Sequence, residues 1–301
     1  MTSNNRAPHA RRYFAALKAH TFLVRLGVLA FFVGGLMSLS NVNIGAIGQG
    51  LALALVGVGV YISFRVLNFP DLSVDGSFPI GGAVAAALIA GGTPAEGTLP
   101  AALIAGALVG LTTALIHITF KIEGLLASII VMTGAYTFTL RIMGTSNIPL
   151  LNVRTILTPY EAPMREFVTA TFGDALRRQA NNLVEILIFG VVVAIVLVVL
   201  NAFMHTEIGL ALRASGKNSQ MVRAVGIHDR MMIILGLMLS NGLAALAGAL
   251  TVQQLGFADV QMGVGIIVRG LAAVMIGEVL LRPKNIGQAL WSAVFGMIIF
   301  E

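Results

Sequence analysis

Apolar residues run along this chain in long unbroken stretches separated by short polar segments, without the strict alternation of half-buried strands. Crossing the hydrocarbon core of a bilayer takes about 20 such residues. Read with that length, the pattern predicts nine spans, at 21–40, 44–65, 77–91, 99–119, 124–142, 183–204, 231–253, 264–281 and 285–300. The third is short and glycine-rich, and the last runs into the end of the sequence. The expected fold is all-α: a polytopic transmembrane helical bundle over 21–301, preceded by a basic tail over 1–20.

Composition agrees. The 301 residues are 57% hydrophobic and 11% charged, with a mean hydropathy of +0.91, where a soluble domain carries about 25% charged residues. A soluble enzyme, a disordered chain and a coiled coil are excluded, and continuous apolar runs argue against a β-barrel. The 34 glycines suit closely packed membrane helices. Cysteine is absent, which removes disulfides, thiolate metal sites and a cysteine nucleophile. No His/Asp/Glu cluster has metal-ligand spacing and there is no Walker A sequence, so no cofactor is expected.

The net charge of +6 reads as membrane orientation. No basic stripe interleaves with aromatics, so nucleic acid is not an expected partner. With the N-terminus in the cytoplasm and alternating spans, Arg6, Arg11, Arg12, Lys18, Arg25, Arg65, Lys121, Arg213, Lys217, Arg223, Arg230, Arg282 and Lys284 fall inside, 13 of the 19 basic residues. The other six are Arg141, Arg154, Arg165, Arg177, Arg178 and Arg269. Four of those lie in the long outer loop 143–182, beside Glu161, Glu166 and Asp174. Arg11-Arg12-Tyr13-Phe14 before an apolar run resembles a twin-arginine export signal. The absence of a nearby cleavage site and the eight further spans favour a cytoplasmic anchor.

Three groups of residues stand out. In the inner loop 205–230, Asn218 or Ser219 is positioned to cap a two-turn helix with Met221, Val222 and Val225 on its apolar face and Gly226 at its end. It is either a surface helix on lipid headgroups or a docking knob for another protein. In Leu67–Pro79, Pro70, Gly76 and Pro79 are expected to break helical structure and free backbone groups to line a cavity, with Asn68, Asp71 and Asp75 alongside. A cytoplasmic turn with capping aspartates is the equal alternative. Third, Arg269 lies inside a span and is expected to snorkel or to pair with Asp259 or Glu278. Thr133, Ser240, Asn241, Gln253 and Gln254 are expected to bond neighbouring helices, and His117 to sit at the interface. Phe69-Pro70-Asp71-Leu72 and Phe257-Ala258-Asp259-Val260 each precede a glycine by the same interval, Gly82 and Gly270. Their opposite predicted sidedness hints at an inverted repeat, with Asp71 and Asp259 capping the following half-helices.

Gly209-x-Ala211-x-Arg213-Ala214-x-Gly216-x-Asn218, followed by Ala224-x-Gly226-Ile227, resembles the permease subunits of bacterial ABC importers of the branched-chain amino acid/ribose type. Leu67–Pro79 and Leu140-Arg141-Ile142-Met143-Gly144-Thr145-Ser146-Asn147-Ile148-Pro149 look like one uncharacterised subgroup of it, some members of which are linked to aromatic amino acid uptake. The resemblance covers about residues 44–301. It implies a second permease copy in a homodimer, cytoplasmic ATPase subunits and an external substrate-binding protein, in a multi-pass protein of the bacterial inner membrane surrounded by lipid. The chain itself would not be an enzyme. The inner loop would be the ATPase-coupling element, carried by Gly209, Arg213, Ala214, Gly216, Asn218, Met221, Val222, Arg223 and Gly226. Asn68, Asp71, Asp75, Asp259 and Arg269 are the candidates for the translocation path. Relatives continue through one more helix, so ten spans are expected of a full-length chain; the stop at Glu301 reads either as a fragment or as a genuine shortening. The 21–40 span and the basic tail read as additions. An ion-coupled secondary transporter would need intramembrane acids, which most spans lack; a scaffold would not need the glycine-rich broken segments.

Overall fold

The computed structural model describes residues 45–151, 153–172 and 180–301, with Val24 and Gly27 in addition. The basic tail and, those two residues apart, the predicted first span lie outside the described residues, as do Asp174, Arg177 and Arg178. In chain order the elements are α1 (Gly45–Val60), which continues as a π-helical turn (Tyr61–Val66), α2 (Val74–Ala90), α3 (Ala95–Phe120), α4 (Gly124–Met143), β1 (Asn147–Pro149), α5 (Thr158–Phe172) and α6 (Ala180–Met204). After these come α7 (Glu207–Lys217), α8 (Ser219–Ala224), α9 (Asp229–Leu255), β2 (Phe257–Asp259), α10 (Ile266–Leu281) and α11 (Ile286–Phe300).

The chain is a helical polytopic membrane protein. Among the described residues, α1 with its π turn, α3, α4, α6 and α9 are long and apolar enough to cross a membrane; α2 and α11 are shorter apolar helices. Each predicted span from 44 onward matches a helix to within a few residues. The short third and eighth spans are α2 and α10, of 17 and 16 residues. At 1.5 Å per residue these reach about 25 Å, less than a full crossing of about 30 Å.

α1 and α9 form the centre, packed against each other and buried along most of their length. α9 packs on α2 and α3 as α1 packs on α10 and α11. This is the relation an inverted repeat requires. The close approaches depend on glycine: an added Cβ would lie 2.0 Å from the Ala245 carbonyl at Gly81, 2.2 Å from the Leu237 carbonyl at Gly110 and 1.9 Å from the Ser292 carbonyl at Gly277. Such contacts bring helix backbones together where the lipid gives no hydrophobic drive for association. The outward faces of α3, α4 and α6 expose Ile104, Leu108, Ile130, Phe138, Ile195 and Val198, as a lipid-facing surface should.

The described residues of the loop 143–182 hold regular structure that a mixed polar segment does not suggest. β1 pairs antiparallel with β2, Asn147 opposite Asp259, and the Ile156 N–H donates to Gln253 Oε1 at 3.0 Å. The loop thereby fastens the first half of the chain to the end of α9.

Candidate functional site

The first candidate lies where two half-helices meet. After α1 the chain turns through Leu67–Ser73 with Asn68 at φ 55°, and α2 starts only at Val74. Asp71 is fully buried there. Its Oδ1 accepts the Ser73 N–H at 2.9 Å and, more closely, the Ser73 hydroxyl. Its Oδ2 accepts from Asn241 Nδ2 at 2.7 Å. Asn241 in turn accepts from Ser73 and Ser77 and donates to the Leu237 carbonyl at 3.0 Å. No cation contacts Asp71 among the described residues. Among the described residues, only hydrogen bonds from Ser73 and Asn241 oppose the desolvation of this carboxyl group.

The second half repeats the device. Asp259 Oδ1 accepts the Gln261 N–H at 2.7 Å, the same two-residue Asx turn as at Asp71. The cap of α10 differs from expectation. It is supplied by Asp75 of α2, whose carboxylate accepts the N–H groups of Gly265 at 3.1 Å and Ile267 at 2.7 Å. Asp259 lies too far ahead of α10 to serve. The two half-helices thus meet N-terminus to N-terminus with one carboxylate between them, which offsets the partial positive charge of α10. Gly263 allows this approach, since a Cβ there would sit 2.1 Å from the Asp75 carbonyl. A cleft of about 250 Å³ opens beside the junction, lined by Asp75, Pro79, Thr133, Tyr136, Val260 and Val264.

Two expected breaks are absent: Gly76 and Pro79 lie inside α2. Arg269 pairs with neither expected acid. It contacts Glu301 at 3.5 Å, and Glu278 instead pairs closely with Arg65 at the end of the π turn. Nine residues at 100° per residue turn Glu278 to the face of α10 opposite Arg269.

The polar residues predicted to bond neighbours divide. Ser240 donates to the Gly59 carbonyl at 2.8 Å, and Gln254 to Glu185 at 2.8 Å, but Thr133 bonds within its own helix. His117 closes the α3–α4 turn through Ile122 O at 2.7 Å and meets Phe69 edge-on.

The second candidate is the arm after α6. The predicted two-turn helix is α8, capped by Asn218, which accepts the Met221 N–H at 3.0 Å. Val222 is buried, whereas Met221 and Val225 are exposed. Gly226 follows at φ 86°. Before it stands a helix that the loop reading missed, α7, with Thr206 accepting the Gly209 N–H at 3.2 Å. The missed signal was Thr206-Glu207, a capping residue with an acid in the first turn. Gly209 and Gly216 are packing glycines: a Cβ at Gly209 would lie 2.3 Å from the Phe203 carbonyl, and one at Gly216 2.0 Å from the Val66 carbonyl. Ser215 is buried and donates to Asp229 at the start of α9. Ala214 is exposed between them. Arg213 and Arg223 bond the carbonyls of Gly209 and Ser219, at 3.4 and 3.3 Å.

Comparison with known proteins gives one family. The family described as "Branched-chain amino acid transport system / permease component" matches residues 42–300. A tyrosine transport system permease protein of Clostridioides difficile is 37% identical over 253 residues, covering 84% of this chain and 78% of the relative. An uncharacterized protein of Rickettsia prowazekii is 35% identical over 252 residues, covering 83% and 82%. An autoinducer 2 import system permease of Salmonella typhimurium is 36% identical over 76 residues, a quarter of this chain and 22% of the relative. No solved structure matches.

Proposed function

The chain belongs to the branched-chain amino acid transport system permease family, and from that premise we propose that it is the membrane subunit of an ATP-driven importer for a small solute. Membership makes it a permease component of an ABC-type system. The finer reading is that a cytoplasmic ATPase supplies the energy, that an external binding protein delivers the solute, and that two permease copies enclose the path. An amino acid is the favoured solute, with tyrosine the first to test, because a relative covering most of the chain is named for it.

The observation that carries the proposal is the α7–α8 arm. It is a short helix pair at one end of the bundle with an exposed apolar edge of Met221 and Val225 and a backbone-close contact to the π turn at Gly216. The ATPase docks on this arm, which places it in the cytoplasm; the excess of Lys and Arg on the same side supports that orientation. The path follows the junction of Leu67–Asp75 with Asp259–Arg269, where Asp71, Asp75 and Asp259 bond backbone that lipid could not hydrogen-bond and Asn68 turns the chain at positive φ.

The test is co-purification with the cognate ATPase, followed by hydrolysis measurements in liposomes with binding protein and tyrosine. Hydrolysis stimulated by the loaded binding protein is expected. A chain that binds no ATPase refutes the proposal. The competing reading, ion-coupled transport, draws on the buried carboxylate of Asp71, but all its close contacts are fixed hydrogen bonds from Ser73 and Asn241.

A further inference from the structure

We propose that the ion pair between Arg65 and Glu278 is a latch across the two halves of the bundle, and that the coupling arm opens it by offering Glu278 to Arg213. This rests on the ATP-driven reading above and adds the route by which the arm reaches the path.

Three observations meet at one place. A cleft of about 560 Å³ lies between the π turn, α7, α10 and the start of α11. Four cations line it, Arg65, Arg213, Lys217 and Lys284, around a single carboxylate, Glu278. Glu278 engages Arg65. Among the described residues Arg213 holds only a long 3.4 Å bond to the Gly209 carbonyl in its own helix, so it can turn to a new partner at little cost. One acid facing several cations favours exchange over rupture, because the Arg65 guanidinium is solvent-exposed when released and Glu278 passes from one cation to another.

Arg65 sits on an irregular helical element. Tyr61–Val66 is a π turn, in which the Leu67 N–H reaches back five residues to the Ile62 carbonyl at 2.9 Å. Wide turns of this kind interrupt α-helices at functional places. Reversion to α geometry would rotate Arg65 away from Glu278. The arm touches this element directly: Gly216 of α7 lies against the Val66 carbonyl, one residue from Arg65. A shift of α7 is therefore felt at the latch without any intervening side chain.

Glu278 belongs to α10, whose other end is held by Asp75 of α2. α10 is thus tied to the first half of the chain at both ends, by charge at one and by a cap at the other. Releasing Glu278 from Arg65 removes the charged tie at that end, so that α10, with α11 packed against it, is joined to the first half by the Asp75 cap and by its packing on α1 and can shift against the π turn. Ligand-driven change requires two such arrangements with different contacts.

The chain has no cysteine, so a double variant Arg65→Cys, Glu278→Cys can be cross-linked by a short bismaleimide or by oxidation without background. In proteoliposomes holding the complex with its ATPase, the uncross-linked variant should take up solute. Cross-linking should abolish uptake, and reduction of the oxidised form should restore it. Uptake that survives full cross-linking overturns the latch. Arg65→Glu and Glu278→Arg should each raise substrate-independent hydrolysis by about 5-fold or more, the lower end of typical coupling between linked states. The charge-exchanged double variant should restore control, and its failure to do so overturns the electrostatic basis. If the unaltered chain shows no ATP-dependent uptake at all, the importer reading itself has failed, which is a different result from an indifferent cross-link.

Discussion

Replacing Gly216 with alanine tests whether the arm is a transmission element or a surface helix. The added Cβ would lie 2.0 Å from the Val66 carbonyl oxygen and 2.9 Å from the Leu67 carbonyl carbon. Both are backbone atoms, so no rotamer change can relieve the contact. Ordinary van der Waals contact begins near 3.4 Å, so α7 must lift by about 1.4 Å or the π turn must move. Overpacking of this kind costs about 1–3 kcal/mol, which is about 5- to 150-fold in the population of the seated arm. The protein should still insert and unfold near the temperature of the unaltered chain, because the strain can be relieved at the arm. Solute taken up per ATP hydrolysed should fall by a factor in that range. The assay is parallel measurement of uptake and hydrolysis in proteoliposomes, with Gly134→Ala as control, since a Cβ at Gly134 meets nothing within 4 Å. Unchanged coupling in Gly216→Ala would refute the close seating of the arm on the π turn and the route drawn from it.

Further outcomes follow from the same contacts. Val222→Asp places a carboxylate at a buried position of α8 and should abolish ATPase co-purification or coupling while leaving insertion intact, read by pull-down and by membrane yield. Asp71→Asn turns an acceptor of the Ser73 and Asn241 hydrogen bonds into a group that must place amide protons against donors. Stability should fall by about 1–3 kcal/mol, seen as a lower unfolding midpoint in detergent, with uptake still indifferent to the proton gradient. Asp75→Ala removes the cap of α10 and should cost about 0.5–2 kcal/mol, with faster hydrogen exchange at Gly265 and Ile267. Gln220→Cys, on the exposed surface of α8, should react with an impermeant maleimide only from the cytoplasmic side, and Ala162→Cys only from the other; both residues are exposed, unlike the buried Ser215.

How much of this was legible in the sequence depended on range. Long apolar runs located the eight helices that match predicted spans, because membrane insertion is read from composition alone, but not α5 or α7, which bring Val168 and Leu212 into the core from mostly polar segments. The broken segments announced themselves at Pro70 and Asp71. The break was placed too far along, since Gly76 and Pro79 lie within α2, where α9 and α10 pack against it. α7 was hidden because Gly209 and Gly216 read as loop residues; they are glycines because backbones touch there. The three-residue strands β1 and β2 are too short for any alternation to register. The Asp75 cap and the Arg65–Glu278 pair join residues about 190 and 213 positions apart. No local pattern encodes such a contact. Asp259 and Glu278 were paired with Arg269 only because they are near it in sequence; helix geometry sends Glu278 to the opposite face.

In the proposed mechanism ATP, through the α7–α8 arm, drives movement of solute past the junction of the two half-helices. The most direct measurement is accumulation of radiolabelled tyrosine in proteoliposomes containing the chain, its cognate ATPase and the external binding protein. One set is loaded with ATP and dissipated of all ion gradients; the other is given proton or sodium gradients and no ATP. Uptake is expected only in the first set and is lost in Val222→Asp. Uptake in the second set, or uptake that needs neither ATPase nor ATP, would contradict this mechanism.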